Sequence, residues 1–203
     1  MKRTNALMML LPVLLAAFVG LVAPVARAGE DAFESGVFEP PRVAPDFELD
    51  GSNGSPLVLK KLRGKVVVVA FGFTNCPRVC PVTMANLSEV FNKLGAAAAS
   101  EVQVVFITVD PDRDTPERLR EFLRFFNPSF LGATGKSAQL DSVRQAYGVI
   151  ATKAPSENKK LGYEMHHSSS IFLIDREGKL RSLVPFGSPS RIIVHDIQLL
   201  LKK

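Results

Sequence analysis

VVVVAFGFTNCPRVCP, residues 66–81, sets a continuous apolar run directly before the only two cysteines of the 203-residue chain. Val66 to Phe73 is β-branched and aromatic without alternation, the pattern of a strand buried on both faces. Met84, Leu87, Phe91 and Leu94 follow at helical spacing, so the segment reads as strand, turn and helix, with both thiols at the turn. In an open α/β sheet the useful crevice lies beyond the carboxyl ends of the strands, where Thr74 to Cys80 falls. Pro81 suits the first helical position, which makes Cys80 the expected N-cap and leaves Cys76 in a preceding turn stiffened by Pro77.

Working outward, Val102 to Val109 is a second buried-strand pattern ending in Asp110-Pro111. Thr115 as N-cap, Pro116 in the first turn and Glu117 at the positive dipole end announce a helix with Leu119, Phe122, Leu123 and Phe126 on one face. Asn127-Pro128 stops it. Ala138 to Tyr147 reads as a shorter helix and Thr152 to Lys160 as a polar loop. Strands Ile171–Ile174 and Leu180–Val184 flank the turn Asp175–Gly178, and a last helix runs from Ser190 to Leu201. Upstream, Phe47-Glu48-Leu49 and the turns at Asp50-Gly51 and Asn53-Gly54 suggest a short hairpin. Residues 29–45, with Pro40, Pro41 and Pro45, read as an extended linker. Strands alternating with helices imply parallel pairing, and the late hairpin adds antiparallel strands at one side. The expected fold class is α/β, thioredoxin-like, with a central mixed β-sheet flanked by helices on both faces.

The N-terminus bears on compartment. Met1-Lys2-Arg3 is a basic start, no charge appears from Ala6 to Ala26, and Ala26-Arg27-Ala28 offers small residues for cleavage. Residues 1–28 therefore read as a signal peptide or an N-terminal membrane anchor. The stretch exceeds the ~15 residues of a signal core and approaches the ~20 that span a bilayer. Either outcome places a domain over residues 46–203 outside the cytoplasm, soluble or tethered to the inner membrane. Cleavage would remove three of the charges behind the formal +5. With no Trp and two Tyr, the chain lacks the basic, aromatic-rich surface of a nucleic-acid binder.

Bridging so short a loop removes little unfolded-state entropy, so the cysteines suit chemistry better than stapling. Amides and dipole at a helix start favour thiolate, and Arg78 adds positive charge. Two thiolates can close a disulfide or clamp one soft ion; copper(I) fits, whereas structural zinc would need two more ligands. Cys80 shares a face with Met84 and Leu87 and could be simple core, but Cys76 has no such role. A third ligand must come from His166, His167 or His195, with Met165 as another soft donor, and spacing alone does not choose between His166 and His167. His195, next to Ile192 and Ile193 in the last helix, reads as a packing residue.

Three ordered motifs carry a resemblance. FGFTNCPRVCP matches F-T-x-C-P-x-x-C-P, VFITVDPDRDTPERL matches V-D-P-x-R-D-T-P-E, and HSSSIFLIDREG matches H-S-x-x-x-x-L-x-D-x-x-G. Over most of residues 43–187 the chain resembles the Sco/SenC family of copper-binding assembly factors for cytochrome c oxidase. The resemblance implies a metallochaperone, with thiol-disulfide reductase activity left open, that holds one copper ion per chain, Cu(I) or Cu(II), on Cys76, Cys80 and His167. His167 is chosen because it directly precedes Ser168 and the strand. It further implies delivery in the bacterial periplasm to the dinuclear copper site of cytochrome c oxidase subunit II, with other copper chaperones or thiol reductases as further partners. Asp110, Asp112 and Asp114 map to the family's acidic segment, near the metal loop or facing a partner; ordinary turn and capping roles are the alternative.

The chain departs from the pattern where Arg78 replaces a common Asp, Asn75 a frequent His, and His166 an often acidic residue. These changes bear on the partner more than on the ligands. The rival function is a thiol-disulfide oxidoreductase in which Cys76 and Cys80 form a redox-active disulfide. Ser168 to Ser170 lacks the proline that such reductases place opposite their thiols, which favours copper. A third reading is an interaction module whose thiols are incidental.

Overall fold

The computed structural model describes residues 32–156 and 162–202. In chain order these form β1 (Gly36–Val43), β2 (Glu48–Gly51), β3 (Pro56–Val58), a 3-10 turn (Leu59–Leu62), β4 (Val66–Gly72), α1 (Val79–Ser100) and β5 (Val102–Thr108). There follow α2 (Pro116–Arg124), β6 (Leu131–Thr134), α3 (Ser137–Tyr147), β7 (Ala151–Pro155), β8 (Tyr163–His167), β9 (Ile171–Ile174), β10 (Lys179–Val184) and α4 (Ser190–Leu201). The segment read as a signal peptide or anchor, residues 1–28, lies outside the described residues. No helix among the described residues is long and apolar enough to cross a membrane.

Eight strands form one sheet in the order β1-β10-β9-β4-β5-β6-β2-β3, and β7 and β8 form a separate hairpin. The unbroken apolar run is central: every residue of β4 is buried, with β5 parallel on one side and β9 antiparallel on the other. β6 continues the parallel set. The sheet is thus mixed, as expected from helical crossovers followed by a hairpin. Gly132 in β6 sits where a Cβ would come within 2.6 Å of Leu119 Cβ, so α2 lies close on the face that also receives α1. The opposite face is covered by α3, whose Tyr147 ring stands 5.5 Å from Phe71 and 5.2 Å from Phe172. α4 joins α1, with Asn86 Nδ2 donating to Ser188 O at 2.9 Å and Ser190 Oγ to Glu89 at 2.9 Å.

The helix starting at Thr115 forms as read: its hydroxyl accepts from Arg118 N, Pro116 opens α2 and Glu117 lies in the first turn. Several elements differ from the sequence reading, and β6 and β8 have no counterpart in it. Gly36–Val43, taken as linker, is extended but pairs antiparallel with β10; a sheet edge tolerates prolines because one side of the strand needs no ladder donors. Residues 152–155, taken as loop, belong to β7, while 157–160 lie outside the described residues. α1 is interrupted at Gly95, whose φ of 75° is left-handed and readily adopted only without a Cβ.

Candidate metal centre

The loop after β4 is built around close packing and one buried carboxylate. A Cβ at Gly72 would meet Cys80 Sγ at 2.8 Å and the Phe106 ring at 2.6 Å, so a side chain there is incompatible with Cys80 in place. Two residues on, Thr74 N donates to Asp114 Oδ2 at 3.0 Å and Thr74 Oγ1 to Asp114 Oδ1 at 2.6 Å. Thr108 Oγ1 donates to the same carboxylate at 2.6 Å. Burial pushes the Asp114 carboxyl up, and the hydrogen bonds from Thr108 and Thr74 pull against it. Arg118 tightens the outside, donating to Thr74 Oγ1 at 3.3 Å and to Asn75 Oδ1 at 3.2 Å.

Helix α1 begins one residue before Cys80, with Arg78 as N-cap, which corrects the expectation that Cys80 caps it. The whole first turn lacks intrahelical acceptors for its N–H groups, so Pro81 is accepted at the third position as readily as at the first. The Arg78 side chain makes no capping bond; instead Cys76 Sγ accepts from Cys80 N at 3.4 Å. Both cysteines are free and buried. The Cys80 thiol donates to Cys76, and together with backbone amides of Cys80, Arg78 and Val79 this draws the Cys76 thiol down to about 5 against the opposing effect of burial. The same hydrogen bond, burial and the neighbouring charge push the Cys80 thiol far up. The pair therefore shares one proton, held on Cys80, with Cys76 as thiolate.

Nitrogen arrives from the hairpin. His167 ends β8 with Nε2 3.7 Å from Cys80 Sγ. Its Nδ1 lies 2.8 Å from Ser168 O; a carbonyl can only accept, so Nδ1 carries the hydrogen and in the uncharged ring the Nε2 lone pair is free for a metal. Phe73 packs edge-on against the imidazole at 5.9 Å between centroids. His166 points to the other side of β8, exposed, and lines a cleft of about 230 Å³ with Phe73, Asn75, Cys76, Pro77 and Arg78. His195 is in α4, its Nδ1 3.1 Å from Asp196 and 4.0 Å from Glu34. Met165 is partly buried against the core.

Among the described residues no three His, Cys, Asp or Glu form a preassembled metal cluster. The geometry is a series of contacts centred on Cys80, with Cys76 on one side and His167 on the other. The three aspartates divide their work: Asp114 holds the thiol loop, Asp110 accepts from Tyr163 OH and Arg113 Nε, each at 2.5 Å, and Asp112 pairs with Lys153 at the surface. Gly72, Arg113 and Tyr163 escaped the sequence reading. The one available signal was the alternation Tyr163, Met165, His167, which a period of two places on one face of a strand.

Fold and site together define a thioredoxin-like protein presenting two sulfurs and one imidazole at the end of its central strand. The SCO1/SenC family profile matches residues 37–202. An SCO2-like protein of Rickettsia conorii is 36% identical over 138 residues, 68% of this chain and 67% of its own. The solved structure of Bradyrhizobium japonicum ScoI with copper bound superposes at a TM-score of 0.71 and 34% identity, covering 78% of this chain and 99% of that one. Yeast Sco1 with copper bound gives 0.72 and 31%, covering 80% and 90%. The chain belongs to the SCO1/SenC family.

Proposed function

We propose that the chain is a copper metallochaperone that holds one ion on Cys76, Cys80 and His167 and passes it to the dinuclear copper site of cytochrome c oxidase subunit II. The observation that carries this reading is the approach of His167 Nε2 to the thiol pair with its lone pair free. Binding would release the Cys80 proton, and two thiolates with an imidazole are a soft, low-coordinate donor set suited to Cu(I); the copper-bound relatives support copper as the ion. A zinc site of structural type would require a fourth protein ligand. An open coordination position lets an acceptor's ligand bind before the donor's ligands leave, so transfer proceeds without free ion. The cleft beside Cys76, rimmed by Arg78 and His166, is where such an acceptor docks. The basic start, apolar stretch and small-residue cleavage motif support export to the periplasm, with the inner membrane as the site of attachment if the leader is retained.

A second reading rests on the asymmetry of the thiols. Cys76 is held as a thiolate facing the cleft and Cys80 as a covered thiol, the arrangement of an attacking and a resolving cysteine. Cys76 would attack one sulfur of an acceptor disulfide and expel the other as a thiolate. Cys80, giving up its proton, would then attack the Cys76 sulfur of the mixed disulfide and expel the acceptor's remaining sulfur as a thiolate, leaving a Cys76–Cys80 disulfide and a reduced acceptor. Titrating the reduced protein with Cu(I), alongside His167→Ala, separates the two. One ion per chain, weakened in the variant, supports the chaperone. No copper uptake, with thiol exchange intact in both, supports the reductase.

A further inference from the structure

The hairpin β7–β8 pairs Ala151 with His167 but is not part of the main sheet, so no ladder to that sheet fixes His167 over the thiols. At its base Ser168 N donates to Ile150 O at 3.0 Å, and Ile150 N donates to Ser168 Oγ at 3.2 Å. At its far end the attachment is made by side chains. Tyr163 OH donates to Asp110 Oδ1 at 2.5 Å, and Arg113 Nη1 donates to Tyr163 O at 3.1 Å. The Arg113 guanidinium stacks 3.8 Å from the Tyr163 ring centroid, and its Nε donates to the fully buried Asp110. Lys153 adds a second cation 4.6 Å from the same ring.

The anchors of that far end lie in the turn 110–114, closed by Asp114 N donating to Asp110 O at 3.0 Å, while the base is held from α3 by Arg144 Nη1 donating to Ala151 O at 3.2 Å. The other end of that turn is Asp114, which pins Thr74 two residues before Cys76. One five-residue turn thus carries both the sulfur-bearing loop and the nitrogen-bearing hairpin. Tyr163 and His167 lie on one face of β8, four residues or about 13 Å apart, so a rotation of the strand about its anchored base turns the imidazole at His167.

We propose that Tyr163, Asp110 and Arg113 form a clasp that sets the position of His167 relative to Cys76 and Cys80, which makes Tyr163 a positioning residue for metal binding. The proposal rests on the copper reading and assigns the control of its nitrogen ligand. Closed, the clasp holds the imidazole against Cys80. Opened, it lets the hairpin turn the imidazole off Cys80 while the sulfur pair stays on the sheet, and the site falls from three donors to two.

The test uses the reduced full chain as wild type, Tyr163→Phe, His167→Ala and the double variant. Hydrogen exchange of the Ala151–Pro155 and Tyr163–His167 amides is followed without copper, and Cu(I) affinity is measured by competition with a chromophoric chelator. Tyr163→Phe keeps the ring and removes the donor. It is expected to speed exchange across the hairpin, leave β4 and β5 protected, and weaken Cu(I) binding about tenfold, the scale seen for outer-shell partners of metal ligands. In the His167→Ala background it is expected to cost nothing further, a coupling that a merely stabilising residue would not show. Equal losses in both backgrounds, or unchanged hairpin exchange, overturn the clasp. Should Tyr163→Phe fail to fold, Arg113→Lys, which keeps the charge and loses the planar stack, takes its place with the same expectations. If wild type takes up no copper while hairpin exchange still rises, the copper reading fails and the clasp stands as the anchor of His167. If wild type binds through His167 and Tyr163→Phe changes nothing, the clasp alone fails.

Discussion

His167 Nε2 stands 3.7 Å from Cys80 Sγ, although 87 residues separate them in the chain. The two come from different elements, a hairpin and a helix start, and neither needs the other in order to form.

His167→Ala is therefore expected to leave the fold intact and strip the nitrogen from the site. Copper(I) affinity should fall by more than about tenfold, and any thiolate-to-copper(II) absorption should change shape, as read by chelator competition and visible spectroscopy. His195→Ala, in α4 beside Asp196, should leave affinity unchanged.

Gly72→Ala tests the close approach of strand and sulfur. The new methyl would meet Cys80 Sγ and the Phe106 ring at under 3 Å, so overpacking should cost roughly 1–3 kcal/mol in urea denaturation. Copper affinity should fall with it, because Cys80 must move.

The aspartates of the 110–114 turn should separate cleanly. Asp114→Ala removes the acceptor of three buried hydrogen bonds and should destabilise the protein by about 3 kcal/mol or more. Asp112→Ala loses only a surface ion pair with Lys153 and should cost no more than ~1 kcal/mol. Denaturant midpoints of the two variants read the contrast directly.

The thiol pair predicts a pH signature in the metal-free, reduced protein. Cys76 titrates near 5 against an ordinary 9.0. A depressed folded value contributes stability that is fully present above the unfolded value and is lost as pH falls toward the folded one. Stability should thus rise from pH 5 to 9. Cys80 has the opposite sign: its raised value contributes stability that is present below 9.0 and is lost above it. Cys76→Ser should flatten the slope between pH 5 and 9 in denaturation curves, and alkylation of Cys76 by iodoacetamide should be half-maximal near pH 5.

What could be read from the chain follows the strength of local patterning. β4, β5, α2 and α4 carry continuous or periodic apolar faces and stand where the sequence places them. β6 is four residues with a glycine, β1 contains two prolines, and β7 is largely exposed, so none offers the alternation that marks a half-buried strand. Within the site, both cysteines announce themselves by spacing, while the choice of His167 came from family resemblance. Tyr163 and Asp110 lie 53 residues apart, and a contact of that separation leaves no trace in local pattern. The misplaced N-cap has a similar origin: the sulfur of Cys76, not a residue adjacent to the helix, satisfies the amide of Cys80.

The entry of the chain into the domain has a mechanical meaning. Glu34 N and Ser35 N both donate to the buried carboxylate of Asp196, at 2.8 and 3.2 Å, and β1 then runs along the outer edge of β10. Tension applied upstream of residue 34 is borne first by α4 and that edge, with two further strands, β10 and β9, between it and the strand that leads to the thiols. A pull on the leading end would thus fall on the flank of the domain, two strands away from the one that leads to the thiols.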